Sequence, residues 1–184
     1  METIRLSTWM DAPMERCFKL STSIDLHLVS AGETRETAIG GVTSGMLEEG
    51  ETVQWRGRHL GRWRTHTSKI DGWRPYSYFR DVMVEGSFAR FEHEHHFAMM
   101  DDGTRMRDEI RFAVPRGLLS KVKEKIVRRH LIRLLKQRNA VIKQVAESEE
   151  WHRYLVERPA PAKAARAAGD GLARVWEKSA LQQG

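Results

Sequence analysis

The chain has 184 residues, of which 40% are hydrophobic and 30% charged, and its formal net charge is +6. That length predicts one domain with a substantial core. No apolar run approaches the roughly 18–20 residues of a membrane span, and the N-terminus lacks a signal-peptide pattern. The one cysteine, Cys17, permits neither an internal disulfide nor a cysteine-based zinc site. We therefore expect a cytoplasmic protein with no integral membrane segment.

The N-terminal segment combines one predicted strand with two short helices. Alternation predicts the strand over residues 4–9. Asp11, Pro13 and Glu15 form a helix-start pattern, and a second short helix is expected to begin at Ser23 and to end at Gly32. The residues expected to be buried are Met14, Cys17, Phe18 and Ser21 in the first helix and Ile24, Leu28 and Val29 in the second.

From residue 34 to residue 115 the hydrophobic period is two, which predicts a series of strands. Val53 and Trp55 alternate with polar residues, and so do Phe91 and Phe97. The segment from Asp101 to Gly103 predicts a tight hairpin. Because the connections are short, we expect an antiparallel meander with one solvated, arginine-rich face.

Beyond Pro115 the period changes to 3.6, which predicts one amphipathic helix from about Gly117 to about Glu150. Its apolar stripe runs from Leu119 to Val145, and its other side is rich in Lys and Arg. The simplest interpretation of that basic side is a solvated face, although a weak contact with an anionic surface stays open. Nucleic acid is not expected, because the segment has neither interleaved aromatics nor a recognition helix.

The order of elements predicts a sheet wrapped around a helix, and several segments resemble the START-like helix-grip (SRPBCC) superfamily. That superfamily includes birch-pollen allergens, lipid-transfer domains and aromatic polyketide cyclases, and the chain is most similar to a bacterial subgroup of it. The segments that carry the resemblance are APMERCF (12–18), SIDLH (23–27), GVTSG (41–45), WRGRH (55–59), FRD (79–81), FEHEHHF (91–97), MRD (106–108) and RNAVI (138–142).

The resemblance covers residues 1–152 and implies an α+β helix-grip domain. Six or seven antiparallel strands would curve around the long C-terminal helix, with two short helices after the first strand. An elongated apolar cavity is implied, in which superfamily members hold lipids, hormones or polyketides and some catalyse cyclisation. Residues 153–184 form a basic, Ala- and Pro-rich tail, which we expect to contribute little to the fold.

Strand alternation places aromatic and ionisable side chains together on the inward face. The predicted ligand-binding residues are Trp55, His59, Trp63, Phe79, Asp81, Phe91, His93, His95 and Asp108. Because buried charge costs several kcal/mol unless it is paired, the His and Asp residues in this set have three interpretations. They form a satisfied structural network, a patch that orients the polar end of a ligand, or an acid–base pair.

Two classes of function follow. The leading hypothesis is a non-catalytic protein that binds a hydrophobic or amphipathic, lipid- or polyketide-like molecule. The alternative is a cyclase- or dehydratase-type enzyme, with His93 or His95 as base and Asp108 or Asp81 as its partner. A metal at His93 and His95 would need Asp108 or His59 as a third ligand; the superfamily implies none, and we expect no metal and no cofactor. The ligand and the oligomeric state stay open.

Overall fold

A computed structural model describes residues 1–155 of the chain. The strands are β1 (Glu2–Met10), β2 (Thr37–Gly41), β3 (Thr52–His59), β4 (Arg62–Arg74), β5 (Tyr78–Glu85), β6 (Arg90–Met100) and β7 (Gly103–Ala113). The helices are α1 (Met14–Thr22), α2 (Ile24–Ser30) and α3 (Ser120–Ala146), and a short 3-10 helix (Glu149–Arg153) follows α3. The predicted tail falls almost wholly outside the described residues.

All seven strands form one antiparallel sheet in the order β1-β7-β6-β5-β4-β3-β2. Short hairpins connect β3 to β7 as a meander, and β1 joins its far edge by pairing with β7. The turn between β3 and β4 has both Leu60 and Gly61 at positive φ, the backbone that a two-residue type I′ hairpin requires. Helix-grip architecture, with two short helices after the first strand, is therefore confirmed.

The two short helices close one end of the sheet. Helix α1 begins after Pro13, as predicted, and Ser23 caps α2 by accepting a hydrogen bond from the Leu26 backbone N–H. The predicted buried face of α2 was wrong in part, since Val29 is 56% exposed and Leu26 is buried. Helix α2 is covered by α1, α3 and β2, so the buried positions of this two-turn helix do not follow one apolar stripe.

Helix α3 starts and ends within four residues of the predicted bounds, but its two halves differ. The C-terminal half packs against the core through Leu135, Ile142 and Val145. At the other end the apolar residues Leu118, Leu119, Val122 and Ile126 are exposed. The prediction of one buried stripe was therefore wrong for the first turns of α3, where no described element covers these side chains.

The core is filled at one end and hollow at the other. Phe18 of α1 makes edge-to-face contacts with the rings of Trp73, Phe79 and Phe97, and the C-terminal half of α3 packs on this aromatic group. Toward the first half of α3 the sheet and helix separate. Among the described residues no helix is long and apolar enough to span a membrane.

Candidate ligand-binding site

A cavity of about 640 Å³ lies between the inner face of the sheet and α3. Its volume is within the range of roughly 300–1,000 Å³ that is usual for small-molecule sites. The predicted residues that line it are Trp55, His59, Phe79, Asp81, Phe91, His93 and His95. Strand alternation therefore gave the correct face for β3, β5 and β6.

Trp63 does not line the cavity. It is 54% exposed, and the guanidinium of Arg56 lies 5.3 Å from its ring on the outer face of the sheet. The reason is the hairpin register, which pairs Trp63 with the outward-facing Arg58, because directly opposed residues of antiparallel strands share a face. The inward residues of β4 are His66, Ser68 and Ile70, which do line the cavity.

Asp108 shares the inward face but lies one layer behind the cavity wall. Its side chain is completely buried, and the rings of His93 and His95 stand between it and the cavity. Asp108 is thus placed to support these rings rather than to contact a ligand, which corrects the prediction that it lines the pocket.

We call Asp81, His93, His95 and Asp108 the strand cluster. The sheet register places Asp81 opposite His93 and His95 opposite Asp108. His93 Nε2 is 2.9 Å from Asp108 Oδ1, and His95 Nε2 is 3.2 Å from Asp81 Oδ2. The two imidazole rings lie 3.8 Å apart, and Phe79 stacks on His95 at 4.0 Å. Neighbouring strands therefore bring the members of this cluster together through their cross-strand register.

Asp108 is held from the helix side as well. Asn139 of α3 donates a hydrogen bond of 2.6 Å to Asp108 Oδ2, and Arg138 Nη1 lies 3.8 Å from Oδ1. His95 Nδ1 is 3.0 Å from the same Oδ1 but outside the angle that a hydrogen bond needs, so it has no hydrogen-bond partner. The sequence analysis assigned no role to Arg138 or Asn139.

Charge in the strand cluster is set by burial and by these contacts. Burial alone would raise the pKa of Asp108, but the contacts with His93 and His95 outweigh it and hold that pKa well below its usual range. Burial would likewise raise the pKa of Asp81, and the neighbouring rings lower it. Burial, together with the charge of His95, lowers the pKa of His93. At neutral pH the cluster therefore has two carboxylates beside a neutral His93.

A second group of ionisable residues lines the same cavity. We call His27, Glu36, His59 and His130 the bridging cluster, because they come from α2, the loop before β2, β3 and α3. Glu36 Oε2 is 2.7 Å from His27 Nε2, and Glu36 Oε1 is 3.0 Å from His59 Nε2. His59 Nδ1 is 3.3 Å from His130 Nε2. The Glu36 carboxylate thus contacts two histidines directly, and the third histidine, His130, is connected to Glu36 through His59.

Backbone space and ring stacking support the bridging cluster. Trp55 lies against His27 with a centroid distance of 4.3 Å. Gly57 leaves room for Glu36, since a Cβ at Gly57 would lie 2.5 Å from Glu36 Cγ. Burial alone would raise the pKa of Glu36, but the hydrogen bonds and charges of His27 and His59 lower it far below its usual range. Sequence reasoning found His59 and missed the other three members.

Solved structures share this architecture. A protein from Thermus thermophilus has a TM-score of 0.64 at 18% identity, covering 80% of this chain and 100% of its own. The Zhui aromatase/cyclase from a Streptomyces species has a TM-score of 0.66 at 12% identity, covering 79% and 93%. A START superfamily protein from Mycobacterium smegmatis has a TM-score of 0.61 at 10% identity, covering 79% and 99%.

These likenesses establish the START-like helix-grip fold of this chain. No protein-family model matches the sequence, and no curated protein matches it significantly. Since the identities lie below one fifth, the shared structure shows the fold, and the function has to be argued from the cavity.

Proposed function

We propose that the protein binds a hydrophobic or amphipathic small molecule, of lipid or polyketide type, in the cavity beneath α3, and that it does so in the cytoplasm. The observation that carries the proposal is a 640 Å³ space whose lining surface is mostly apolar, with two compact groups of ionisable residues on its wall. Apolar area removed from water contributes about 25 cal/mol per Å², and a few polar groups fix orientation.

The polar end of the ligand is proposed to contact the cavity side of the strand cluster. His93 and His95 line the cavity while Asp108 supports them from behind. Arg138 also lines the cavity and carries a buried positive charge, although burial lowers its pKa. An acyl chain with a carboxylate or carbonyl head matches this combination of apolar walls and the cationic donor of Arg138.

Two fluorescent probes test this proposal. cis-Parinaric acid has an acyl chain and a carboxylate head, whereas diphenylhexatriene is wholly apolar. Ser68→Phe places a ring inside the cavity, and Thr67→Phe, its neighbour on the outer face of β4, is the matched control. We expect both probes to bind the wild type and the control and to lose affinity for Ser68→Phe. Absence of binding, or equal loss in both variants, would contradict the proposal.

The role of the polar wall is tested with the same pair of probes. Arg138→Gln is expected to weaken parinarate binding roughly tenfold or more, because a hydrogen bond to a charged group contributes about 1.5–3 kcal/mol. Diphenylhexatriene binding should change little. A parallel loss for both probes would show that Arg138 shapes the cavity without orienting a head group.

A second candidate function is a cyclase- or dehydratase-type reaction, with His93 or His95 as the base. His93 pairs with Asp108 at 2.9 Å beside the cavity, the arrangement in which a carboxylate orients a catalytic imidazole, and one neighbour of similar fold is an aromatase/cyclase. The enzyme hypothesis is tested with an aromatic β-hydroxy ketone as substrate. Its dehydration is monitored through the absorbance of the conjugated enone that forms. If the wild type turns over this substrate and both His93→Gln and Asp108→Asn abolish the turnover, the enzyme hypothesis is favoured over the binding hypothesis.

We further propose that the first turns of α3 contact an anionic lipid surface. The exposed apolar residues of this segment are Leu118, Leu119, Val122 and Ile126. Five basic residues accompany them, Lys121, Lys123, Lys125, Arg128 and Arg129, with Glu124 as the one acid between residues 116 and 146. Ile126 and Lys123 also line the cavity, so the contact would lie beside the cavity. Apolar and basic groups on one helix segment suit an anionic interface.

Vesicle sedimentation tests this contact. The wild type should bind vesicles containing phosphatidylglycerol, should not bind pure phosphatidylcholine, and should dissociate as salt rises. Val122→Ser with Ile126→Ser should abolish binding, whereas Val84→Ser, at an exposed apolar position on β5, should not. A different result would contradict the proposal: neither protein binds vesicles, and the wild type and the double variant bind duplex DNA with equal affinity. The basic face would then be a nucleic-acid contact.

A further inference from the structure

Three members of the strand cluster have ligand atoms close enough to share one ion. The ligand atoms of Asp81, His93 and His95 all lie within 4.8 Å of one another. Asp81 Oδ2 is 3.2 Å from His95 Nε2 and 3.8 Å from His93 Nδ1. Metal–ligand bonds of about 2.0–2.2 Å place adjacent ligand atoms about 3–3.5 Å apart. The observed separations therefore require only small side-chain movements.

The other nitrogen of each ring faces a second carboxylate. His93 Nε2 is 2.9 Å and His95 Nδ1 is 3.0 Å from Asp108 Oδ1, and Asn139 fixes that carboxylate through a 2.6 Å hydrogen bond. Metal-binding histidines generally donate their remaining N–H to such a carboxylate, which sets the tautomer and aims the free nitrogen at the ion. Asp108 accepts such a hydrogen bond from His93, and its Oδ1 also lies beside His95 Nδ1, although not at a hydrogen-bond angle.

The local charge and the access route suit a divalent ion. Two acidic side chains, Asp81 and Asp108, and one basic side chain, Arg138, lie at the site. Asp81, His93 and His95 all line the cavity, so an ion can reach them and would keep coordination positions open toward a ligand. Sequence reasoning considered Asp108 or His59 as the third ligand. The structure puts Asp108 behind the rings and His59 in the bridging cluster.

We propose that Asp81, His93 and His95 form a binding site for a divalent first-row transition ion, with Asp108 as the carboxylate that orients the His93 imidazole. Two imidazoles and one carboxylate on one side of an ion, with the remaining positions open, are typical of sites for ions such as Fe²⁺ and Zn²⁺. The site does not depend on which organic molecule the cavity holds.

Titration of the full chain with Co²⁺ and Zn²⁺, after chelator treatment and removal of the chelator, tests the site. We expect one Co²⁺ per chain with visible d–d absorption, and competition by Zn²⁺. Asp81→Asn and, separately, His95→Gln should weaken binding by more than the about 10–100-fold that follows loss of an outer carboxylate. His96→Gln is the matched control, because His96 is the next residue on β6 and contacts Glu94 at 3.2 Å on the outer face.

Three outcomes would overturn the proposal. The first is absence of stoichiometric Co²⁺ or Zn²⁺ binding by the folded wild type. The second is binding that Asp81→Asn and His95→Gln leave unchanged while both variants melt as the wild type does. The third is Co²⁺ binding that is lost in Glu36→Gln but kept in Asp81→Asn, because the metal site would then lie in the bridging cluster. Probe binding in the cavity is a separate measurement, so a negative result here leaves the proposed ligand-binding function standing.

Discussion

The two polar clusters of the cavity are built from similar residues by different means. The strand cluster lies on three adjacent strands, β5, β6 and β7, and its pairs follow from the hydrogen-bond register of the sheet. The bridging cluster joins α2, a loop, β3 and α3, which come together only when the helices dock. The sheet therefore brings the members of the first cluster together, and α3 only adds support at Asp108, whereas the second cluster forms only when the helices sit correctly on the sheet.

The largest expected effect is at Asp108. Asp108→Ala should lower the free energy of unfolding by about 3–5 kcal/mol, because it leaves buried His93, Asn139 and Arg138 without their shared acceptor. Glu36→Ala should cost less, about 1–3 kcal/mol, since its histidine partners are partly exposed. Urea unfolding at pH 7 measures both values. A greater loss at Glu36 would reverse the comparison between the two clusters.

The bridging cluster should also contribute a pH dependence. The pKa of Glu36 is far below its usual range in the folded protein, whereas the unfolded carboxyl titrates near about 4.3. The ionised Glu36 therefore contributes fully to the free energy of unfolding above a pH of about 5. As the pH falls from the unfolded pKa toward the folded pKa, this contribution is lost by up to about 1.4 kcal/mol per pH unit. Glu36→Gln should be less stable than the wild type at pH 7, and the difference should narrow steadily as the pH falls below about 4. Parallel unfolding curves across this range would contradict the expectation.

A smaller effect is expected outside both clusters, at Trp63. Trp63→Ala removes an exposed ring and its contact with Arg56, which contributes about 0.5–1 kcal/mol at such sites. Diphenylhexatriene should bind this variant as it binds the wild type. Loss of probe affinity would mean that Trp63 reaches the cavity in solution, as the sequence first predicted.

The smallest effect is expected from the tail. A chain truncated before Pro159 keeps every residue of both clusters, so its free energy of unfolding and its Co²⁺ affinity should match those of the full chain. A loss above about 2 kcal/mol, well beyond the usual range for surface changes, would show that the tail docks on the domain.

The contrast between the clusters also shows what could be predicted from the sequence. Alternation along β6 identified His93 and His95 as inward neighbours, because strand parity is a local property. Trp63 was misassigned because the hairpin register, not the alternation of one strand, decides which face it shares. Glu36 lies in a loop without periodicity, and His130 lies on α3, so only tertiary structure brings them to His59.

The pairing of β1 with β7 has a consequence for the synthesis of the chain. Glu2 pairs with Phe112, so β1 leaves the ribosome roughly 100 residues before the strand that completes it. At about 5–20 residues per second, the nascent chain carries β1 without its partner for roughly 5–20 s, while β3 to β7 can pair as successive hairpins. Long-range strand closure of this kind is intrinsically slow, and an unpaired strand is open to association with other chains. This topology therefore leaves residues 2–10 without their partner strand for that interval of synthesis.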